Sequence, residues 1–329
     1  KELIWHSEAE GWGAFYLYDT GTKRLVRKLT NGQWTARRLK YVDEEARMAY
    51  FTAGGREEGV DPYYQILYRV SLDGGEPERV TPEDMEHYIR FSPHGMYFLD
   101  TCSTIQTAPV MSVREPDGRL RKELTRANLS RIQEKGYIVP EPFTALARDG
   151  VTAIYGILIK PAGFDPSKKY PVIDYIYGGS QRINTPKAFE FNVNQTGTPQ
   201  GDLQNLAQLG FVGIIVDGFA TPLRSKKIHD YGYGKTEECC GLEEHMLAVR
   251  QLAGQYSWID ETRVGIWGAS GGGYATVRAM LAYPDFYKVG VSLCGNHDQA
   301  RYHAHWGERW IGKYSKEAYA QQANETLAG

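Results

Sequence analysis

The sequence predicts a two-part chain. β-Propeller blades (all-β) occupy residues 1–135, an α/β domain occupies residues 136–329, and both are incomplete. Three observations predict this. Short aromatic and β-branched runs broken by turn signals fill the first part. Apolar strands alternate with helical stretches in the second. One strand-to-helix bend of the second part carries a serine boxed by glycines, GIWGASGGGYATVRAM. The 329 residues are 42% hydrophobic and 24% charged, ordinary composition with room for two domains.

In the first part the turns DTGT, LTNG, DGGE and PDGR separate the strand-like runs. A weak repeat runs through them. An LT or VT dipeptide closes three strand–turn units, at Leu29-Thr30, Val80-Thr81 and Leu124-Thr125. Another apolar strand precedes each unit: LIW, MAYFTA and MYFLDT. The repeats lie 51 and 44 residues apart, about the length of a four-stranded blade. Two or three blades do not close a ring, so the remaining blades are expected outside this sequence. A plain antiparallel meander is the alternative. The stretch NLSRIQEKGYIVPE reads as a connector.

Beyond it the candidate strands are FTALAR, TAIYGILIKP, PVIDYIYG, FVGIIVDG, RVGIWGA and KVGVSLCG. Helix-like segments lie near residues 202–209, 241–254, 271–282 and 315–327. Such alternation predicts a mostly parallel sheet covered on both faces. Ser270 falls on the bend between the strand Arg263–Trp267 and the helix that starts at Gly271. Gly268-Ala269-Ser270-Gly271-Gly272 satisfies G-x-S-x-G, the nucleophile elbow of α/β-hydrolases. A serine on so sharp a turn needs small neighbours, because strand and helix crowd the bend. The first amide of the helix, that of Gly271, is placed to donate to an oxyanion.

Other classes are disfavoured. A net charge of −2 without basic runs gives no general attraction to nucleic acid. No apolar stretch reaches the roughly 20 residues of a membrane helix. Cys102, Cys239, Cys240 and Cys294 lack zinc spacing, and His303 and His305 lack a fitting third ligand, so neither metal nor cofactor is expected. The start KELIWHSEAEGWGAFYLYD is neither a signal peptide nor an initiator-methionine start, and reads as the middle of a gene product.

Taken together, the motifs resemble those of the prolyl oligopeptidase family of serine peptidases, and within it the bacterial members of the dipeptidyl peptidase IV branch. WHSEAEGWGAFYLYD is similar to a blade start of that branch, and KKYPVIDYIYGGSQ to its tyrosine-bearing strand. VDGFATPLRSKKIHD resembles its D-G-x-G-T loop, GIWGASGGGYAT its nucleophile turn and HWGERWIG a later T-E-R-Y-M-G-like segment. The resemblance implies roles by position. Ser270 is the acylated nucleophile, and Tyr177 joins the Gly271 amide in the oxyanion hole. Tyr302 and Trp306 line the pocket for the residue before the scissile bond, and their i, i+4 spacing puts both on one helical face if a helix runs through them. Three departures stand out. Gly271 replaces a frequent aromatic residue, which opens the pocket. Phe219-Ala220 replaces Arg-Gly, and Trp306 replaces a tyrosine.

In this fold the triad runs Ser, Asp or Glu, then His. Only 59 residues follow Ser270, with one clear strand. The acid and base are therefore expected beyond this sequence, and the chain alone is expected to be inactive. His229, His297 with Asp298, His303 and His305 are not expected to replace them. The glutamate pairs Glu44-Glu45, Glu57-Glu58 and Glu243-Glu244 receive no substrate role; the last is explained by the helix dipole. The resulting expectation is a serine exopeptidase releasing N-terminal dipeptides from short peptides. An esterase or a non-catalytic piece are the alternatives. The resemblance also implies a possible homodimer and export to the periplasm.

Overall fold

The structure, a computed structural model, describes residues 1–189, 199–238 and 241–328; Cys239 and Cys240 lie outside the described residues. The chain divides into two compact units. The first holds Lys1–Leu129 with Lys187–Phe189 and Leu223–Lys227; the second holds Ser130–Pro186, Glu190–Pro222 and Ile228–Gly329.

Three antiparallel sheets build the first unit. They are β1 (Glu2–Ser7), β2 (Ala14–Asp19) and β3 (Arg24–Lys28); β4 (Thr35–Asp43), β5 (Met48–Gly54), β6 (Ile66–Ser71) and β7 (Glu78–Arg79); and β8 (Glu86–Phe91), β9 (Phe98–Ser103), β10 (Val110–Arg114) and β11 (Leu120–Arg126). These are the expected blades. Strand alternation sends side chains to both faces of the middle blade. Ala49, Phe51 and Ala53 join Phe15 and Trp34 in one core, while Tyr50 joins Leu67, Ile89 and Phe98 in another. That double burial is why β5 reads as an unbroken apolar run.

The dipeptide repeat has a physical basis in two of its three places. Leu29 N–H donates to the Phe15 carbonyl at 2.8 Å, and the Thr30 hydroxyl accepts from the Phe15 amide at 2.9 Å. Val80 and Thr81 do the same for Leu67, at 2.8 and 3.1 Å. Each pair satisfies a buried strand residue where the sheet ladder stops. Leu124-Thr125 differs: it lies inside β11, with Thr125 opposite Met111 in the ladder.

The second unit carries a six-stranded sheet of β12 (Glu141–Leu146), β13 (Ala153–Ile159), β14 (Tyr170–Tyr175), β15 (Val212–Asp217), β16 (Ile259–Ala269) and β17 (Tyr287–Leu293). Its order is β12-β13-β15-β14-β16-β17. The first two pairings are antiparallel and the remaining three parallel. The helices along the chain are α1 (Ser130–Glu134), α2 (Pro199–Gln208), α3 (Lys226–His229), α4 (Leu242–Gln255), α5 (Gly271–Ala282), α6 (Ala304–Trp310), α7 (Lys316–Gln321) and α8 (Glu325–Ala328).

On one face, α4 and α5 pack Leu242, Met246, Ala275 and Ala279 against Val264 and Ile266. On the other, α2 covers β14 and β15 with Leu203 and Ala207. The expectation of a sheet covered on both faces needs correction at the β17 end. Val289, Val291 and Leu293 are 60%, 52% and 49% exposed, beside a 690 Å³ groove walled by Tyr175, Leu206 and Trp267. The reason is reach: α2 has ten residues and ends over β14–β15. Among the described residues no helix is long and apolar enough to cross a membrane.

Two polar groupings brace this unit, the first buried and the second partly so. Asp174 accepts from His245 Nδ1 at 2.7 Å and from the Tyr287 hydroxyl at 3.0 Å, which ties β14 to α4 and β17. Arg148 meets Glu244 at 2.6 Å, Glu238 at 2.5 Å and Glu243 at 3.2 Å. The helix-dipole reading of Glu243-Glu244 is therefore insufficient, since Glu244 is fully buried and its charge is held by Arg148.

Candidate active site

The bend between β16 and α5 follows an inner strand of the parallel part of the sheet, where β16 lies between β14 and the edge strand β17. Ser270 occupies it with φ 58° and ψ −119°, a conformation that strains any residue with a Cβ. Backbone bonds hold it there. Ser270 N–H donates to the Leu293 carbonyl at 2.8 Å, and the Ser270 carbonyl accepts from Tyr274 N–H at 3.0 Å. Its side chain is half-buried and caps no helical amide, so no helical N–H occupies the hydroxyl.

The glycines around it are not equivalent. A Cβ on Gly268 or Gly272 would collide with the Ile176 carbonyl, and one on Gly273 with the Leu293 carbonyl. These three are needed for packing, as the crowding of the bend requires. They let the bend nest between the ends of β14 and β17. Gly271 is different: a Cβ there would meet the Tyr177 ring at 3.6 Å and the Gly178 backbone at 3.8 Å, both ordinary contacts. Gly272→Ala is therefore expected to destabilise the unit by about 3 kcal/mol through overpacking against fixed backbone, and Gly271→Ala by less than about 1 kcal/mol. Urea midpoints of the two variants check this; equal midpoints would refute the distinction.

The Tyr177 ring is thus the side chain nearest the open side of Gly271, the first residue of α5. Tyr177 lies just past β14 on a loop that is pinned at several points. The Asp217 carboxylate, buried at the end of β15, accepts from Asn184 N–H at 2.7 Å and from Thr185 N–H at 2.9 Å. Asn184 Nδ2 reaches the Tyr177 carbonyl at 3.4 Å. His229 Nε2 lies 2.8 Å from the Ser180 carbonyl, which can only accept, so this nitrogen carries the proton. The Gln181 amide donates to the Tyr177 hydroxyl at 3.0 Å. Sequence reading missed Asp217, Asn184 and Gln181, because their roles depend on how the loop folds back.

Tyr302 and Trp306 form an edge-to-face pair with centroids 6.3 Å apart, and Trp306 packs in turn on Trp310 at 6.1 Å. The shared helical face is not observed. Tyr302 precedes α6 and only Trp306 is on it, so the rings meet by a turn rather than by helical spacing. Tyr302 is 41% exposed.

Among the described residues no hydrogen bond joins a histidine to Ser270. His297 Nδ1 receives Asn324 Nδ2 at 3.0 Å, Asp298 caps Ala300 N–H at 2.9 Å, and His303 and His305 are exposed. One buried trio, His87, Asp100 and Cys102 in the third blade, has ligand atoms within 4.8 Å of one another. Its lone pairs are committed. Asp100 takes His87 Nδ1 at 2.8 Å and Arg114 Nε at 2.9 Å, and His87 Nε2 faces the Glu83 carbonyl at 3.0 Å. Burial pushes the Cys102 thiol up to about 11, away from the thiolate that a metal needs. We read it as an internal ion network.

Blades followed by a parallel sheet with a strained serine between strand and helix define an α/β-hydrolase-fold protein with an N-terminal propeller region. Known proteins agree. A family model described as the dipeptidyl peptidase IV N-terminal region matches residues 1–109, and the prolyl oligopeptidase family model matches residues 199–327. Human dipeptidyl peptidase 8 is 29% identical over 281 residues, covering 80% of this chain and 29% of that protein. Mouse prolyl endopeptidase FAP is 25% identical, covering 92% of this chain and 38% of that protein. The crystal structure of a putative dipeptidyl aminopeptidase IV from Bacteroides ovatus has the same fold, with a TM-score of 0.84 at 24% identity over 99% of this chain and 47% of that one. This chain thus spans less than half the length of each of these relatives. It belongs to the prolyl oligopeptidase family, in its dipeptidyl peptidase IV branch.

Proposed function

We propose that the protein is a serine exopeptidase that releases dipeptides from the free N-terminus of short peptides through an acyl-enzyme on Ser270. The observation that carries the reading is the strained Ser270 at the strand-to-helix bend, followed by Gly271, whose open side faces the Tyr177 ring. Dipeptidyl peptidases among the relatives support the dipeptide product. In this reading the Ser270 Oγ attacks the carbonyl carbon while the Gly271 N–H and Tyr177 O–H receive the oxyanion; its collapse breaks the C–N bond and releases the remaining peptide as an amine, which takes up the serine proton by way of the base. The edge-to-face Tyr302–Trp306 pair offers an apolar corner of two rings to the side chain before the scissile bond. The Asp and His of the triad are assigned to no described residue.

The test uses full-length protein. A fluorophosphonate probe is expected to add once, at Ser270. Dipeptide p-nitroanilides with a free amine are expected to be cleaved and their N-acetylated analogues not. Equal cleavage of the acetylated substrates would sink the dipeptide reading; labelling at another residue would sink the nucleophile. Tyr177→Phe removes one oxyanion donor and is expected to lower kcat by about 10²–10³-fold with little change in KM. Steady-state kinetics on the same anilides checks it.

A further inference from the structure

Tyr177 is held in an arrangement that its place in the sequence does not explain. Its oxygen accepts from Gln181 Nε2 at 3.0 Å, and among the described residues its own proton is given to no acceptor. The Arg182 guanidinium lies over the same ring, 5.5 Å from the centroid. A Cβ on Gly179 would stand 2.6 Å from Tyr177 Cε1 and overlap the Gln181 amide, so only glycine there lets Gln181 fold back onto the phenol.

We infer that Gln181 is a positioning residue for the Tyr177 hydroxyl: by donating to the phenol oxygen it leaves the phenolic proton free for the oxyanion that forms at Ser270. The inference rests on the nucleophile reading above. Its physics has two parts. A hydroxyl that accepts a hydrogen bond becomes a better donor, because the two bonds polarise each other. An amide donor also fills one lone pair and sets the rotor, so the O–H need not be turned during the reaction. Arg182, over the ring face, adds a cation–π contact that holds the ring in place. If the amide were reversed, its carbonyl would capture the phenolic proton and the hole would lose its second donor.

That contrast supplies the test, and Gln181 is exposed, so its variants are not expected to disturb folding. In full-length protein we would measure the rate of fluorophosphonate addition at Ser270 and the kcat and KM for a dipeptide p-nitroanilide. Gln181→Ala and Gln181→Met are expected to slow both addition and kcat about three- to tenfold, with KM unchanged. Gln181→Glu puts an acceptor where the donor stood. It is expected to be slower than the alanine variant at pH 8, with the gap to wild type narrowing as the pH falls toward the carboxyl's range. Gln181→Asn, which keeps a donor on a shorter arm, is expected to recover part of the rate. Wild-type rates in the alanine and glutamate variants, or an effect confined to KM, would overturn the inference. A wild-type protein that fails to label at Ser270 would instead overturn the nucleophile reading, and this one with it.

Discussion

Ser270→Ala is expected to abolish fluorophosphonate labelling and to cut peptide hydrolysis by a factor on the order of 10⁶, leaving the thermal midpoint unchanged. Ser270→Gly is expected to be equally inactive, yet more stable than wild type by about 1 kcal/mol. The difference follows from the backbone. At φ 58° and ψ −119° a Cβ is strained whether it carries a hydroxyl or not, so alanine keeps the strain and glycine removes it. The gain is partly offset by glycine's larger entropy when unfolded. Calorimetry and anilide kinetics on the two variants decide the matter. Residual labelling of the alanine variant at this position would remove Ser270 from the chemistry. A glycine variant no more stable than the alanine one would remove the strain argument.

Asp174→Ala is expected to cost the second unit about 3–5 kcal/mol, because it leaves His245 buried with its charge unpaired. Both residues are buried, and Asp174 is fully so. Burial alone pushes the His245 imidazole down, but the Asp174 carboxylate at 2.7 Å outweighs it, with Asp217 and Glu244 adding to the pull, so the net shift is upward from 6.5. A raised folded value stabilises through the protonated form. The contribution is complete below about pH 6.5, the unfolded range, and is lost as the pH rises through the higher folded value. The urea midpoint of wild type is thus expected to fall as the pH is raised above about 6.5, and His245→Gln to flatten that fall. A midpoint rising over this window would contradict the assignment.

Much of the architecture was legible because it is written in periodicity. All six strands of the sheet fall on apolar runs in the sequence; the signal is fullest in β15, buried along its whole length, while the edge strands β12 and β17 leave half or more of their residues exposed. The serine bend was legible because only glycines fit it: Gly268, Gly272 and Gly273 face carbonyl oxygens. The supporting shell was not. Gln181 stands four residues from Tyr177, yet its contact exists only because the intervening loop turns back, and no local period encodes that turn. Asp174 and His245 are 71 residues apart and meet only once α4 lies across the sheet. Glu244 looked like an ordinary first-turn acid until Arg148, 96 residues earlier, proved to be its partner.

The middle blade has a consequence for how such a chain can change over time. Along β5, neighbouring residues serve opposite cores: Phe51 packs with Phe15 and Trp34, and Tyr50 with Ile89 and Phe98. Substitutions can be absorbed one core at a time. A single-residue insertion or deletion inside the strand cannot, because it exchanges the two sets at once and mismatches both cores together. Length variation in a gene of this kind is thereby channelled into the turns between strands, while the strands themselves drift only in composition.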